Sequence, residues 1–234
     1  ELERVCNHVA DIGAIATDVG FVVANAHATR LKEMLFTVNE HLAGNRLLRG
    51  MVCIGGVRRP WDAAQRDVLW KTLEVFEREF QDLMTLIDAS ESTRDRLEHT
   101  GILRPNKAKD LGIVGVGGRA SGNDLDVRRD HPYAAYSRFS FRVPVFEAGD
   151  VWHRMQVRIA EVKESLAMIQ SAIDYDNQGE FRVPVSSIPP NRCGLSAVEG
   201  WRGEILYWIR TGRDNRLERC KIKDPSLNNW PAIV

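Results

Sequence analysis

The residues best able to do chemistry in this chain of 234 residues crowd into one stretch, Gly115–Tyr136 (GVGGRASGNDLDVRRDHPYAAY). Four glycines fall in its first eight residues, and glycine lets a backbone turn sharply and pack closely. Charged and polar groups follow, and the candidate site residues are Arg119, Ser121, Asp124, Arg128 and His131. A linker would be richer in Ser, Lys and Glu, so the composition favours a loop of defined geometry. A purely structural loop fits the same residues equally well.

A dinucleotide-binding fingerprint is the first function that such glycines suggest, and the sequence argues against it. That fingerprint needs a strand, a G-x-G-x-x-G turn that opens a helix, and an acidic residue about 20 residues further on. Here the glycines run into Asn123, Asp124 and Asp126 and then Pro132. The sequence therefore predicts a loop with no helix N-terminus for a pyrophosphate.

Composition indicates an ordinary globular protein. Lys plus Arg and Asp plus Glu number 32 each, so no net charge attracts nucleic acid or an anionic membrane. The four cysteines form no C-x-x-C pair and the six histidines show no metal-ligand spacing, so we predict reduced thiols and no metal site. No membrane-spanning run is recognised. Because the chain starts in a helical pattern without Met and stops on an apolar run, we expect a fragment with both ends cut.

Hydrophobic periodicity predicts long helices. Residues 2 to about 43 are interpreted as one long helix or two in tandem, and Gly44 is the expected stop. Asp62 is expected to cap the most regular amphipathic helix, whose apolar positions run from Leu69 to Ile87 in steps of four and three. Gly149-Asp150 is expected to open another strong helix.

Two carboxylates share a face of the first helical region, where Asp11 and Asp18 are seven residues apart. The segment Ile12–Ala26 is apolar almost all round, which predicts a position at the centre of the fold. Buried carboxylates need partners, and Arg30 or Arg119 could supply them. A structural ion-pair stripe is the favoured interpretation, and catalysis is the alternative.

Short strands are predicted between and after the helices. The segments are Met51–Arg59, Ser140–Phe146, Phe181–Val185, and a hairpin made by Ile205–Arg210 and Leu217–Ile222. Together with the helices they predict an α+β fold, mainly α, with long buried helices and short β hairpins.

Seven motifs occur in the order in which one superfamily has them: ELERVCNHVADIGAIATDVG, GGVRR, RASG, DVRRDHPYAAY, GDVWHRMQVRIAEVKESLAMI, EGWRGEILYWIRTG and RCKIKDPSLNNWP. Through them nearly the whole chain resembles the large subunit of nickel–iron hydrogenases and its relative, the large core subunit of respiratory complex I. The membrane-bound, formate hydrogenlyase-type hydrogenases are the most similar branch. The resemblance implies one hydrogenase-like core domain over residues 1–234.

The resemblance also implies a function. It points to the core part of the large subunit of a membrane-associated redox complex, either a formate hydrogenlyase-type hydrogenase or an NADH:quinone oxidoreductase. Electron transfer would be coupled to hydrogen or to quinone. The expected partners are an iron–sulfur small subunit and membrane subunits, with no nucleic acid, at the cytoplasmic face of the cell membrane. A non-catalytic scaffold that holds the iron–sulfur subunit is the alternative.

The cofactor and the one catalytic residue also follow from the resemblance. Hydrogenases hold nickel and iron with two cysteine pairs, neither of which this chain contains, so we expect no cofactor here and a nickel–iron centre only in a full-length parent. EGWRGE resembles the segment whose arginine faces that centre, which makes Arg202 the catalytic candidate. From its residue type alone, Arg202 would be a surface salt-bridge residue. Ile15 occupies the place where complex I has a histidine near its terminal cluster.

Overall fold

The computed structural model describes residues 1–175, 179–185 and 187–232. The chain divides into two compact units, Glu1–Thr100 with Val151–Val183 and Gly101–Asp150 with Pro184–Val234. We call them the first and the second unit. The single domain expected from the sequence stays a prediction.

The described residues form nine α-helices, which in chain order are α1 (Leu2–Asp18), α2 (Val22–Ala43), α3 (Ala63–Asp88), α4 (Glu91–Leu97), α5 (Pro105–Asp110), α6 (Gly115–Ala120), α7 (Val127–Asp130), α8 (Val151–Asp174) and α9 (Ser226–Asn229). Their strands are β1 (Val52–Cys53), β2 (Gly56–Val57), β3 (Cys193–Gly200), β4 (Gly203–Thr211) and β5 (Leu217–Lys223). The predicted class is confirmed, because long helices accompany two small antiparallel sheets. Within the described ranges, no helix is long and apolar enough to cross a bilayer.

The core of the first unit forms where α1 packs against α2 and α8, and α2 against α3. The buried apolar residues of α3 are those that periodicity marks: Leu69, Leu73, Phe76, Phe80, Leu83, Met84 and Ile87. The start of α3 at Asp62 is confirmed. Asp62 Oδ1 accepts from the Gln65 backbone N–H at 2.7 Å, while Gln65 Oε1 accepts from the Asp62 N–H at 3.2 Å. This capping box satisfies two N–H groups that a helix start leaves unpaired.

The first helical region is two helices in tandem, because the chain turns at Gly20 between α1 and α2. Gly20 has φ +82°, which glycine adopts at little cost. The turn leaves Val22 and Val23 63% and 65% exposed at the start of α2. The prediction that all of Ile12–Ala26 is buried at the centre of the fold is therefore wrong. The end of α2 is confirmed, since Gly44 stands there in the left-handed conformation with φ +70°.

Two of the predicted strands are not strands. Within Phe181–Val185, Arg182 makes an isolated antiparallel bridge to Gly56 in the first unit. Ser140–Phe146 has no regular secondary structure. The reason lies in the backbone of Phe146, whose N–H donates to Arg119 O at 2.8 Å and whose carbonyl accepts from Gly122 N at 2.6 Å. These bonds go to the segment around α6, so they do not build a sheet.

The sheet of the second unit has the order β3-β4-β5, and all its pairs are antiparallel. The predicted hairpin is confirmed as β4 and β5. Its turn contains Asp214 and Asn215 at φ +58° and +57°, a conformation that Asp and Asn tolerate in tight hairpins. The sequence CGLSAVEG of β3 has Gly and Ser where strong β-formers would be expected, so its pattern predicts no strand.

The glycine-rich segment contains two short helices, α6 and α7, where the sequence predicts a loop. Glycine allows α6 to pack against the residues just before it. A Cβ on Gly118 would lie 2.6 Å from the carbonyl oxygen of Ile113. The expected absence of helix is therefore wrong, although α6 is only six residues long.

Candidate functional site

Arg119 lies in a buried ionic cluster of the second unit. Its side chain is 0% exposed, and its Nη1 donates to Glu199 Oε1 at 2.9 Å and to the Leu125 carbonyl at 3.0 Å. Asp126 Oδ2 lies 3.6 Å from the same nitrogen. A guanidinium withdrawn from water needs such partners, because an unpaired buried charge costs several kcal/mol.

A second arginine completes the cluster. Arg128 grips Asp126 with two parallel bonds, Nε to Oδ1 at 2.9 Å and Nη2 to Oδ2 at 2.6 Å. Asp126 also caps α7, since its Oδ1 accepts from the Arg128 backbone N–H at 3.0 Å. The guanidinium of Arg128 stacks 4.9 Å from the ring of Phe141. A planar guanidinium suits this two-bond geometry better than an ammonium does.

Glu199 joins the sheet to these helices from its place on β3. Its Oε2 accepts from the Val127 backbone N–H at 3.2 Å, while its own N–H donates to the Tyr133 hydroxyl at 3.1 Å. Burial raises the pKa of Glu199 above the ordinary carboxyl value, and the neighbouring Arg119 opposes that rise. We call Arg119, Asp126, Arg128 and Glu199 the Arg119 cluster; two cations balance two carboxylates.

The other loop candidates lie at different depths. Ser121 is 1% exposed, and its Oγ has no hydrogen-bond partner among the described residues. Asp124 is exposed and accepts from Arg129 Nη1 at 2.6 Å. His131 is also exposed. Of the five loop candidates, Arg119 and Arg128 belong to the cluster. Asp126 and Glu199 were not among the candidates, although Glu199 opens the quoted EGWRGE motif.

The predicted pairing of Arg119 with Asp11 or Asp18 is wrong. The carboxylates beside Arg119 are those of Glu199 and Asp126, while Asp11 accepts from Arg158 Nε on α8 at 3.1 Å. Asp18 is exposed, so its charge needs no buried partner. It lines a groove of about 310 Å³ between α1 and α2. The expected buried stripe does not form, because the turn at the end of α1 interrupts the spacing of seven.

Arg202 lies in the tight turn between β3 and β4. Its side chain is exposed, with the guanidinium carbon 5.9 Å from the ring centroid of Trp201. Its carbonyl accepts from Asn229 Nδ2 at 3.4 Å, and Asn229 Oδ1 accepts from the Val114 N–H at 3.0 Å. The main chain of the turn is thus held from two sides while the charged group stays accessible.

Two glycines allow this turn to form. A Cβ on Gly115 would lie 2.1 Å from the Arg202 carbonyl oxygen, and Gly115 has φ +65°. A Cβ on Gly203, at φ +131°, would lie 2.8 Å from Val114 Cγ2. No side chain fits at either position without backbone movement. The glycine-rich segment therefore positions the backbone of Arg202.

Comparison with known proteins gives the family. The family model "Respiratory-chain NADH dehydrogenase, 49 Kd subunit" matches residues 18–193. The chain belongs to this family. The resemblance to the hydrogenase and complex I superfamily is thereby confirmed.

Relatives of this 49 Kd-subunit family member include hydrogenase and quinone oxidoreductase subunits. The chain is 32% identical over 235 residues to the carbon monoxide-induced hydrogenase of Rhodospirillum rubrum, covering 100% of the chain and 65% of the relative. It is 31% identical over 260 residues to NADH-quinone oxidoreductase subunit 4 of Thermus thermophilus, covering 100% and 64%. For an NADH-quinone oxidoreductase subunit of Anaeromyxobacter dehalogenans the identity is 33% over 234 residues, covering 97% and 62%. The chain thus spans slightly under two thirds of the length of these relatives.

This family member contains a second buried polar cluster, in the first unit. Glu161 Oε2 accepts from Arg4 Nη1 at 3.1 Å and lies 2.8 Å from His8 Nε2. All three residues are at most 5% exposed. Burial lowers the pKa of His8, and the hydrogen bond to Glu161 opposes that change. Sequence reasoning missed this cluster, although the spacing of four between Arg4 and His8 places both on one face of α1.

The donor residues of the chain do not fit a nickel–iron centre. Among the described residues, no three His, Cys, Asp or Glu side chains are grouped closely enough to hold a metal. Cys6 is buried on α1 and Cys53 is on β1. In the sheet, Cys193 pairs with Arg210 and Cys220 with Ile209, which are consecutive on β4. Consecutive strand residues point to opposite faces, so these two thiols cannot share one metal ion.

Proposed function

We propose that the chain forms the core of the large subunit of a membrane-associated oxidoreductase complex, whose electron transfer is coupled to quinone or to hydrogen. The match of the chain over 97% to 100% of its length to subunits of both kinds carries this proposal. Because the present donor residues do not fit nickel and iron, no step of the proposed chemistry uses a metal held by them.

Arg202 is the proposed catalytic residue. Its backbone is positioned by Gly115 and Gly203, and its guanidinium is exposed beside Trp201. A guanidinium stays protonated, so it offers fixed positive charge and directed donors where electrons and protons arrive. A donor held in place before the reaction does not need to reorganise during it. The fixed turn is thus well suited to hold a charge at a reaction site.

The proposed partners are an iron–sulfur small subunit and membrane subunits, with the complex at the cytoplasmic face of the cell membrane. The relatives named as NADH-quinone oxidoreductase subunits support a multi-subunit assembly. The Arg119 cluster has a structural role in this proposal. It fixes the helices α6 and α7 against β3, and so supports the turn that presents Arg202.

A non-catalytic scaffold that holds the iron–sulfur subunit is the second candidate. The separate positions of the four cysteines favour it, because they offer no ligand set for a redox metal. In that case the chain would bind the same small subunit, and Arg202 would stabilise the contact between subunits.

Isolation of the native complex tests both candidates. The chain would be tagged in its own organism and purified from solubilised membranes, and its partners identified by mass spectrometry. Reduction of a viologen dye by H₂ and reduction of a quinone by NADH would then be measured on the complex. We expect an iron–sulfur subunit together with one of the two activities. An iron–sulfur subunit without either activity would favour the scaffold, and a chain purified without such a subunit would contradict both.

A further inference from the structure

The strand β5 forms an exposed edge of the sheet in the second unit. Six of its seven residues are exposed, and Lys223 is half-buried. One side of β5 pairs with β4, and the other pairs with no strand among the described residues. An unpaired edge presents backbone N–H and C=O groups that another extended chain can use.

The two faces of β5 differ in character. Arg219, Lys221 and Lys223 alternate along one face, which we call the basic face. Cys220 and Ile222 point to the other face, which we call the apolar face. Tyr207, which pairs with Ile222, belongs to the apolar face as well, and these two residues are 41% and 58% exposed.

The basic face carries positive charge that the sheet does not neutralise. Lys223 Nζ lies 3.4 Å from Glu204 Oε1, so that cation has a partner. Arg219 and Lys221 have no carboxylate partner within the part of the chain that the structure describes. Their neighbours across the sheet are Arg210 and Trp208, of which Arg210 is itself a cation.

Basic residues on an edge strand are commonly protective, since they repel the same edge of another copy. That role explains the basic face alone. It does not explain the exposed Ile222 and Tyr207 on the apolar face, because exposed apolar groups make an edge more adhesive. A strand that alternates acidic and apolar side chains would match both faces at once. Its acidic groups would lie beside Arg219 and Lys221, and its apolar groups beside Ile222.

We propose that β5 binds an acidic, extended segment of a partner protein, which adds a fourth strand to the sheet. Backbone hydrogen bonds would supply much of the affinity, and the alternation of side chains would select the segment. Opposite charges on neighbouring strands stabilise such pairing, whereas like charges weaken it. This inference concerns assembly and holds for quinone or hydrogen chemistry alike.

Peptides of defined sequence test the proposal on the 234-residue chain. The probe is an end-capped peptide of alternating Glu and Val. One control has Lys in place of Glu, and two others are N-methylated on alternate residues, so that in turn each edge of the peptide loses its donors. Affinity would be measured by calorimetry, and amide hydrogen exchange would map the contact. We expect the acidic peptide to slow exchange in β5 and to leave β3 unchanged. The Lys peptide and one of the methylated peptides should bind at least about tenfold more weakly.

Charge reversal on the basic face supplies the matched variants. Arg219→Glu combined with Lys221→Glu should weaken acidic-peptide binding by about tenfold or more. Lys109→Glu makes the same kind of change on the exposed face of α5 and should leave binding unchanged. If the double reversal does not fold, Arg219→Gln with Lys221→Gln replaces it, with a smaller loss expected.

Three results would overturn the proposal. The first is equal binding of the acidic and Lys peptides, and the second is equal binding of the unmethylated peptide and both methylated peptides. The third is slower exchange in β5 with phosphatidylserine vesicles but not with the acidic peptide, which would make the basic face a membrane contact instead.

Discussion

Arg119 and Glu199 are 80 positions apart in the sequence and meet through a bond of 2.9 Å between Nη1 and Oε1. Both side chains are at most 2% exposed. The pair links α6 to β3 across the second unit, so it joins a glycine-rich segment to the sheet that carries the Arg202 turn.

Removal of one partner should destabilise the second unit strongly. Arg119→Ala leaves the buried carboxylate of Glu199 without its closest cation, and we expect the free energy of unfolding to fall by about 3–5 kcal/mol. Chemical denaturation measures this change. Arg129→Ala is the control, because its ion pairs with Asp124 and Asp130 are partly exposed and should contribute about 0–1 kcal/mol. Arg119→Met combined with Glu199→Leu should recover part of the loss, since it removes both charges. Unchanged stability of Arg119→Ala would show that the pair does not organise this unit.

The sequence could predict that Arg119 needs a buried partner, but not which partner. Local signals were sufficient for the cap at Asp62 and the stop at Gly44, because a helix end depends on residues within one turn. The partner of Arg119 is on β3, a strand whose own sequence gives no strong pattern. The segment 140–146 failed for a related reason. Its alternation is that of a strand, but a strand forms only where another strand supplies partners.

The buried His8 should make the first unit sensitive to acid. Its pKa is lowered by burial, so the folded chain keeps the ring neutral at a pH where an unfolded chain protonates it. An unfolded histidine titrates near about 6.5. As the pH falls below that value, the unfolded state takes up a proton that the folded state does not, and the free energy of unfolding decreases. The contribution of His8 is fully present above about pH 6.5 and is lost toward lower pH, by at most about 1.4 kcal/mol per pH unit.

Denaturation between pH 7 and pH 5 tests this prediction. His8→Gln keeps a donor for Glu161 but cannot titrate, so its stability should depend less steeply on pH than that of the parent. The charged groups that influence His8 are Glu161, Arg4 and Arg158, and the variant leaves all three in place. His41→Gln removes an exposed histidine as a control. Equal slopes for His8→Gln and the parent would contradict the prediction.

Gly115→Ala should displace the Arg202 turn. The new methyl group would overlap the Arg202 carbonyl, and the positive φ of Gly115 is itself unfavourable for alanine. We expect a loss of about 2–4 kcal/mol, the sum of backbone strain and overpacking. Gly117→Ala is the matched change in the same helix. Its Cβ would lie 3.3 Å from Ile113 Cγ2, so the change should alter stability by about 1 kcal/mol or less. Thermal unfolding compares the two, and equal melting temperatures would show that the turn tolerates a side chain.

The chain expressed alone should bind no stoichiometric nickel, iron or zinc. The reason is the separation of its four cysteines, which offer no shared ligand set. Elemental analysis after desalting measures the content directly, and a chelator should leave the melting temperature unchanged. About one metal ion per chain would show that other residues assemble a site.

Arg202→Lys tests the proposed catalytic residue in the purified complex. Lysine keeps a positive charge, but its single rotatable ammonium cannot reproduce the rigid planar fork of a guanidinium. If fixed donors matter for the reaction, turnover should fall on the order of a hundredfold, the scale typical of losing one preorganised donor. Because the Arg202 side chain is exposed and its backbone is held by Gly115, Gly203 and Asn229, stability should stay near that of the parent.

The control for Arg202→Lys is Arg213→Lys, the same change in the exposed turn between β4 and β5. It should leave turnover, stability and subunit composition unchanged. A loss of turnover in Arg202→Lys with an intact subunit composition would support a role in the reaction, because a scaffold contact would instead be lost together with the partner. Unchanged turnover would remove Arg202 from the site. A variant that loses the iron–sulfur subunit would assign Arg202 to the contact between subunits.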